Sequence, residues 1–291
     1  MNGDVSEYGL WIALAAMALI LGPLFALRRS LGPDGPPPKP DNWRQRLDAL
    51  PHAALLDDAQ RAHWHALVEA FWNRVRFIGC NGFWVDAQVR LTVAGYACLL
   101  YLPGAAPPYP RLKNVLVYPE PFLVPQTDPD EYGLVSDQPV EHIGESWDAE
   151  RVILSWADVE AALAGDPVNV VVHEFAHQLD DESTDASGAP PWRDRARWAA
   201  VMQTEFDRLR RHRRPRVLDP YGAESPEEFF GVVMEAYFQQ GAALRQHHAD
   251  LYTLLHDTFG LDTAALDWPP AGPDDPLEEL PDADPVPPPA A

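Results

Sequence analysis

Cysteine is nearly missing from this chain: Cys80 and Cys98 are the two it has, 18 positions apart and without a Cys-x-x-Cys pair. That scarcity argues against a thiolate metal site, and no disulfide is expected. Positive charge is short as well. The 22 Lys and Arg residues face 44 Asp and Glu, for a net charge of -22 and a pI near 4.6. A phosphate backbone needs a basic face, so nucleic acid is excluded as a partner. The local basic run Arg208, Arg210, Arg211, Arg213 and Arg214 stands just before Pro215 and reads as a solvated helix end, where cations are favoured. No internal repeat is present.

Charge is absent altogether from Tyr8 to Leu27, a stretch rich in Leu, Ile and Ala. Twenty such residues span roughly the 30 Å of a bilayer core as a helix. Asp4 and Glu7 precede it and Arg28 and Arg29 follow, so the positive-inside rule places the bulk of the chain in the cytoplasm. A cleaved signal peptide would carry its positive charge on the other side. The expected order is a short extension (1–7), a transmembrane helix (8–28), a Pro/Gly-rich linker (29–41), one folded domain (42–268) and a disordered acidic, Pro-rich tail (269–291). The expected location is the cell membrane, single-pass, with the domain on the cytoplasmic side; plain cytoplasm is the alternative.

Within the domain, His173, Glu174 and His177 form a His-Glu-x-x-His run. Four residues is about one helical turn, so both imidazoles project from one face and can hold one metal ion beside a carboxylate base. Asp166 as N-cap and Pro167 at the first helical position start this helix near Val168 and carry it to about Asp180. Only Glu174 is charged between Val168 and Leu179, which predicts a buried helix. A catalytic zinc site uses three protein ligands and leaves one position for water. The third ligand is not the downstream histidine of the longer His-x-x-Gly-x-x-His pattern, because Asp180 and Ser183 stand at those positions.

A later glutamate is left. Ser225 can cap a helix that begins at Pro226, with Phe229, Val232, Val233, Ala236 and Tyr237 on its core face. Glu224, Glu228 and Glu235 are all candidates for the third ligand. Ser225 and Glu228 also fit a capping box, in which the glutamate merely bonds back to the Ser225 amide. Asp180 is either an acceptor for a ligand imidazole or an exposed acid closing its helix. His247 and His248 read as exposed helix residues.

The run His-Glu-Phe-Ala-His-Gln-Leu-Asp, with Tyr221 seven positions before Glu228, resembles the Mlc titration factor A family of zinc-dependent peptidases. The catalytic domain of anthrax lethal factor carries a similar tyrosine-to-glutamate arrangement. The likeness spans roughly residues 43–259 and includes Gly144-Glu145-Ser146-Trp147 and Val152-Ile153-Leu154-Ser155-Trp156. It implies a single zincin-type domain with His173, His177 and Glu228 as zinc ligands, Glu174 as general base and Tyr221 as an oxyanion helper. Tyr221 is otherwise a packing aromatic in a Pro-Tyr-Gly turn. Aminopeptidase-like activity on peptides is the implied function, and the alternative is a regulatory protein that sequesters a transcriptional repressor.

The remaining pattern is mixed. Trp64, Leu67, Val68, Phe71 and Val75 mark a helix opened by Asp57 or Asp58, and Trp198, Met202, Phe206 and Leu209 mark another. Strands are expected at 83–85, 89–94, 96–102, 114–118 and 151–154, with 89–102 as an alternative helix. Strands before the motif and helices after it predict an α+β domain. An edge strand at 151–154 near the metal would pair with an extended peptide.

Overall fold

The computed structural model describes residues 38–124, 140–142, 150–183, 190–191, 193–211 and 217–267. The apolar stretch 8–28, most of the linker, the motif at 144–147, Arg213, Arg214 and the tail 269–291 lie outside the described residues. Among the described residues, no helix is long and apolar enough to cross a membrane.

Helix α1 (Trp43–Leu47) and a 3-10 turn (Pro51–Leu55) lead into α2 (Asp58–Arg74). Asp57 and Gln60 close a complete capping box at its start, at 2.8 and 3.0 Å. Trp64, Leu67, Val68 and Phe71 along one side are fully buried. At the other end, Arg90 donates to the carbonyls of Trp72 and Val75, and its guanidinium lies 4.1 Å from the Trp72 ring. A buried cation thus closes the helix where its carbonyls lack partners.

The sheet is parallel. Strands β1 (Arg76–Gly79), β2 (Asn114–Tyr118) and β5 (Arg151–Ser155) run in the order β1-β2-β5, with Phe77, Val115 and Val152 in register. Between β2 and β5 in the chain, β3 (Phe122–Val124) and β4 (Val140–His142) form an antiparallel pair. Parallel neighbours need a long crossover, and α3 (Ala87–Leu100) supplies the one between β1 and β2. Two expectations change here. The helical alternative for 89–102 holds in place of the two strands, over Ala87–Leu100 with Asp86 capping at Val89. No strand forms at 83–85. From Val89 to Leu100 every residue of α3 is buried, so its sequence lacks the polar face that marks helical period. The expected strands at 114–118 and 151–154 are present.

After α4 (Trp156–Leu163) comes α5 (Val170–Glu182), which carries the His-Glu-x-x-His run. Its cap is Asn169, whose Oδ1 accepts the Val172 amide at 3.2 Å, so the helix starts two residues later than expected. Asp166 instead closes the preceding turn on the Val168 amide at 2.9 Å. Helix α6 (Arg195–Arg211) is followed by a 3-10 turn (Pro220–Ala223), then α7 (Pro226–Gln239), α8 (Gly241–His247) and α9 (Ala249–Phe259), which Gly260 ends at φ 71°. Helix α5 packs against α7, α3 and β5. The motif helix therefore lies between the sheet layer and the C-terminal helices in a mixed α and β architecture.

His248 departs from its expected exposure. It is buried, and its Nδ1 lies 2.6 Å from Glu205 Oε2, tying the α8–α9 junction to α6. His247 is half-buried, and Arg208, Arg210 and Arg211 are exposed on the last turn of α6 as predicted.

Candidate metal centre

Helical spacing on α5 puts the rings of His173 and His177 side by side, with centroids 4.9 Å apart. Glu228 meets them from the first turn of α7. Its Oε2 lies 3.0 Å from His173 Nε2 and 3.7 Å from His177 Nε2. One ligand atom from each of the three residues falls within 4.8 Å of the others. Ligands at about 2.0–2.1 Å from a tetrahedral zinc ion lie roughly 3.3 Å apart, and the two Glu228 distances bracket that value. These three residues fit a divalent cation.

The choice among the glutamates follows from α7. Ser225 Oγ accepts the Glu228 amide at 3.1 Å, so half of the predicted capping box forms, while the Glu228 carboxylate turns to the imidazoles. Glu235, two turns on, reaches the other nitrogen of the same ring, with Oε1 3.2 Å from His173 Nδ1. A carboxylate there accepts the Nδ1 proton and leaves the Nε2 lone pair free for a metal. Glu224 is exposed at the end of the 3-10 turn, outside the cluster. Asp180 is buried rather than exposed, with Ser183 Oγ 3.4 Å from its Oδ1.

Electrostatics of the cluster call for positive charge. Burial opposes charge on His173, but its bonds to Glu228 and Glu235 outweigh this and raise its pKa to about 10. Burial likewise pushes Glu228 up, yet His173 and His177 hold it well below the usual carboxylate range. A bound cation would take over the role of that proton.

Glu174 differs from both. It is 2% exposed, and among the described residues its Oε2 has no hydrogen-bond partner. Burial pushes its pKa up to about 7, against the pull of His173 and His177. An orphaned buried oxygen costs about 1–3 kcal/mol, so its place beside the imidazoles needs a chemical reason. Tyr221 sits on the 3-10 turn, where Asp219 Oδ1 accepts its amide at 2.8 Å. Its ring is 6.2 Å from that of His173 and 44% exposed. Burial and then the neighbouring Glu228 charge raise its phenol above the ordinary value. The structure thus brings His173, Glu174, His177, Tyr221 and Glu228 together.

Sequence reasoning missed Gln239. Fully buried at the end of α7, it donates to the carbonyls of Ala162 at 3.0 Å and Asp166 at 2.6 Å, and its Oε1 lies 3.4 Å from Asn169 Nδ2. It fixes the segment that feeds the motif helix. An uncharged polar residue at a core position was the available signal.

The family model described as glucose-regulated metallo-peptidase M90 matches residues 28–260. An uncharacterized protein of Synechocystis sp. is 40% identical over 236 residues, covering 77% of this chain and 86% of its own length. Mlc titration factor A of Salmonella schwarzengrund is 34% identical over 206 residues, and that of Escherichia fergusonii 30% over 204; each alignment covers 67% of this chain and 77% of the relative. With the match running through both helices of the His173, His177 and Glu228 cluster, the chain belongs to the glucose-regulated metallo-peptidase M90 family, to which Mlc titration factor A is related.

Proposed function

We propose that the chain is a zinc-dependent peptidase in which His173, His177 and Glu228 hold the ion and Glu174 is the general base. One observation carries this reading: two imidazole nitrogens and one carboxylate oxygen converge beside a buried glutamate whose Oε2 is unpartnered. Imidazole and carboxylate donors in a three-residue set favour zinc. When bound, the ion supplies a Lewis acid that polarises a carbonyl and acidifies water.

The chain's own residues move the protons. Glu174 accepts a proton from water at Oε2 and passes it to the departing amine nitrogen. Tyr221 donates its O–H to the substrate oxygen as negative charge builds there. Strand β5 is hydrogen-bonded to β2 and packs on α5, and its other edge is the place for an extended peptide. By family resemblance the activity is aminopeptidase-like. The apolar stretch 8–27 anchors the enzyme in the membrane, with Arg28 and Arg29 holding the domain on the cytoplasmic side.

Metal analysis of purified protein with a peptide-library digest tests the assignment. About one zinc per chain, chelator-sensitive cleavage, and a Glu174→Gln variant that keeps its zinc but loses about 100-fold or more in turnover are expected. Undiminished turnover in that variant would remove the mechanism. A second reading, sequestration of a transcriptional repressor, is favoured by the name Mlc titration factor A carried by relatives 34% identical to the chain. Specific repressor binding with no peptide turnover would select it.

A further inference from the structure

Helix α7 meets one imidazole from three directions. Glu228 faces His173 Nε2 and Glu235 faces Nδ1, and between them in the helix lies Gly231. A Cβ built on Gly231 would sit 2.6 Å from His173 Cε1, 2.7 Å from Nδ1 and 2.8 Å from Nε2. Non-bonded heavy atoms settle at about 3.5–4.0 Å, so any side chain at 231 would demand roughly 1 Å of retreat. The helix has little room to give. Phe230 is fully buried and packs edge-on against Trp198 at 5.6 Å, while Phe229 packs on Phe206 at 5.4 Å. The ring has to yield, and its Nδ1 is held by Glu235.

Glycine inside a helix costs backbone entropy and forfeits packing, so its presence in the middle of a buried helix needs a cause. We propose that Gly231 is a positioning residue for the metal centre: the missing side chain is the slot that seats the His173 ring against α7. Seating fixes where Nε2 points. Metal–ligand distances tolerate only about 0.2 Å of error, so a shift of roughly 1 Å takes that nitrogen out of reach of a shared ion. Comparable losses around ligand histidines cost about 10–100-fold in affinity.

The functional consequence rests on the zinc reading given above, but the seating itself does not, and two measurements on the full chain separate them. The first is thermal melting of metal-free wild type, Gly231→Ala, His173→Ala and the double variant. A glycine that merely occupies a helix position is stabilised by alanine in both backgrounds. A glycine that seats the ring gives the opposite sign: alanine lowers the melting temperature when His173 is present and raises it when His173 is alanine. If the single variant fails to fold, recovery of folding in the double variant supports the slot equally well. The second is zinc affinity by chelator competition, expected to fall about 10–100-fold in Gly231→Ala. A Gly231→Ala protein that melts higher than wild type and binds zinc as tightly would overturn the proposal. Wild type that binds no zinc would sink the metal reading, and the melting cycle would then decide the seating of His173 by itself.

Discussion

Glu228 and Glu235 flank the same imidazole, and their separate roles make a quantitative prediction about replacing Glu235. Its Oε1 stands 3.2 Å from His173 Nδ1, at the long end of the N–H···O range. The residue is 6% exposed, so water cannot easily replace a lost acceptor. Glu235→Gln keeps the volume and an acceptor oxygen but drops the charge. Its zinc affinity should fall about tenfold, or about 1.4 kcal/mol. Glu235→Ala also frees the ring to rotate and exchange tautomers, and the loss should approach 100-fold, about 2.7 kcal/mol. Glu228→Ala removes a proposed ligand and should cost more than either. Chelator competition at neutral pH gives all three numbers, and turnover at saturating zinc shows whether a refilled site still works. Zinc binding unchanged in Glu235→Ala would refute the orienting role. A larger loss from Glu235→Ala than from Glu228→Ala would exchange the two assignments.

Two further variants probe the surroundings. Gln239→Ala takes the side-chain donor from the Asp166 carbonyl, while the Ala162 carbonyl keeps the Gly165 amide at 3.1 Å, and it should lower stability by about 1–3 kcal/mol in denaturant melts; no shift in midpoint would mean that the loop is held by other contacts. Burial raises Glu182 to about 7, despite the hydrogen bond from Tyr101 and the nearby Arg111 and Arg74. Its folded pKa exceeds its unfolded value near 4.5, so its stabilisation is full below that value and is lost as pH rises through 7. Glu182→Gln should therefore gain in melting temperature relative to wild type between pH 5 and pH 8, and a constant difference would exclude a raised carboxyl.

The motif helix was legible because everything that defines it is local. Two histidines four apart, one charge in an apolar run and a nearby polar cap fix both the helix and the face it presents. Its start was misplaced by two residues because Asp166 and Asn169 are both good caps, and it is Asn169 that reaches the Val172 amide. The proposed third ligand lies 55 residues beyond His173, where spacing allowed several glutamates and a capping box besides. Only the approach of α7 to α5 separates Glu228 at Nε2 from Glu235 at Nδ1. Helix α3 was ambiguous for a different reason, since burial on all sides erases the polar half of its period. Strand β1 went unseen because it is four residues long and follows α2 after one residue, so neither alternation nor a turn marks it.

A pattern in α7 explains why so much of the site rests on one helix. Glu228, Gly231, Glu235 and Gln239 stand three, four and four positions apart, which is a single stripe along a helix. Each answers something on or before α5: Glu228 both imidazoles, Gly231 the face of the His173 ring, Glu235 its Nδ1, and Gln239 the segment that precedes Asn169. The residues between them, Phe229, Phe230, Val232, Val233, Met234, Ala236, Tyr237 and Phe238, are all buried. A helix apolar on its other sides is held at a fixed depth by core packing, and that depth sets the height of every group in the stripe. Buried polar side chains such as Glu235 and Gln239 are costly unless partnered, and these contacts supply the partners. The same packing that stabilises the C-terminal helices thereby fixes the distance from Glu228 to the two histidines. Core substitutions such as Phe230→Leu should accordingly loosen the site along with the fold, whereas Arg211→Ala at the exposed end of α6 should leave both intact.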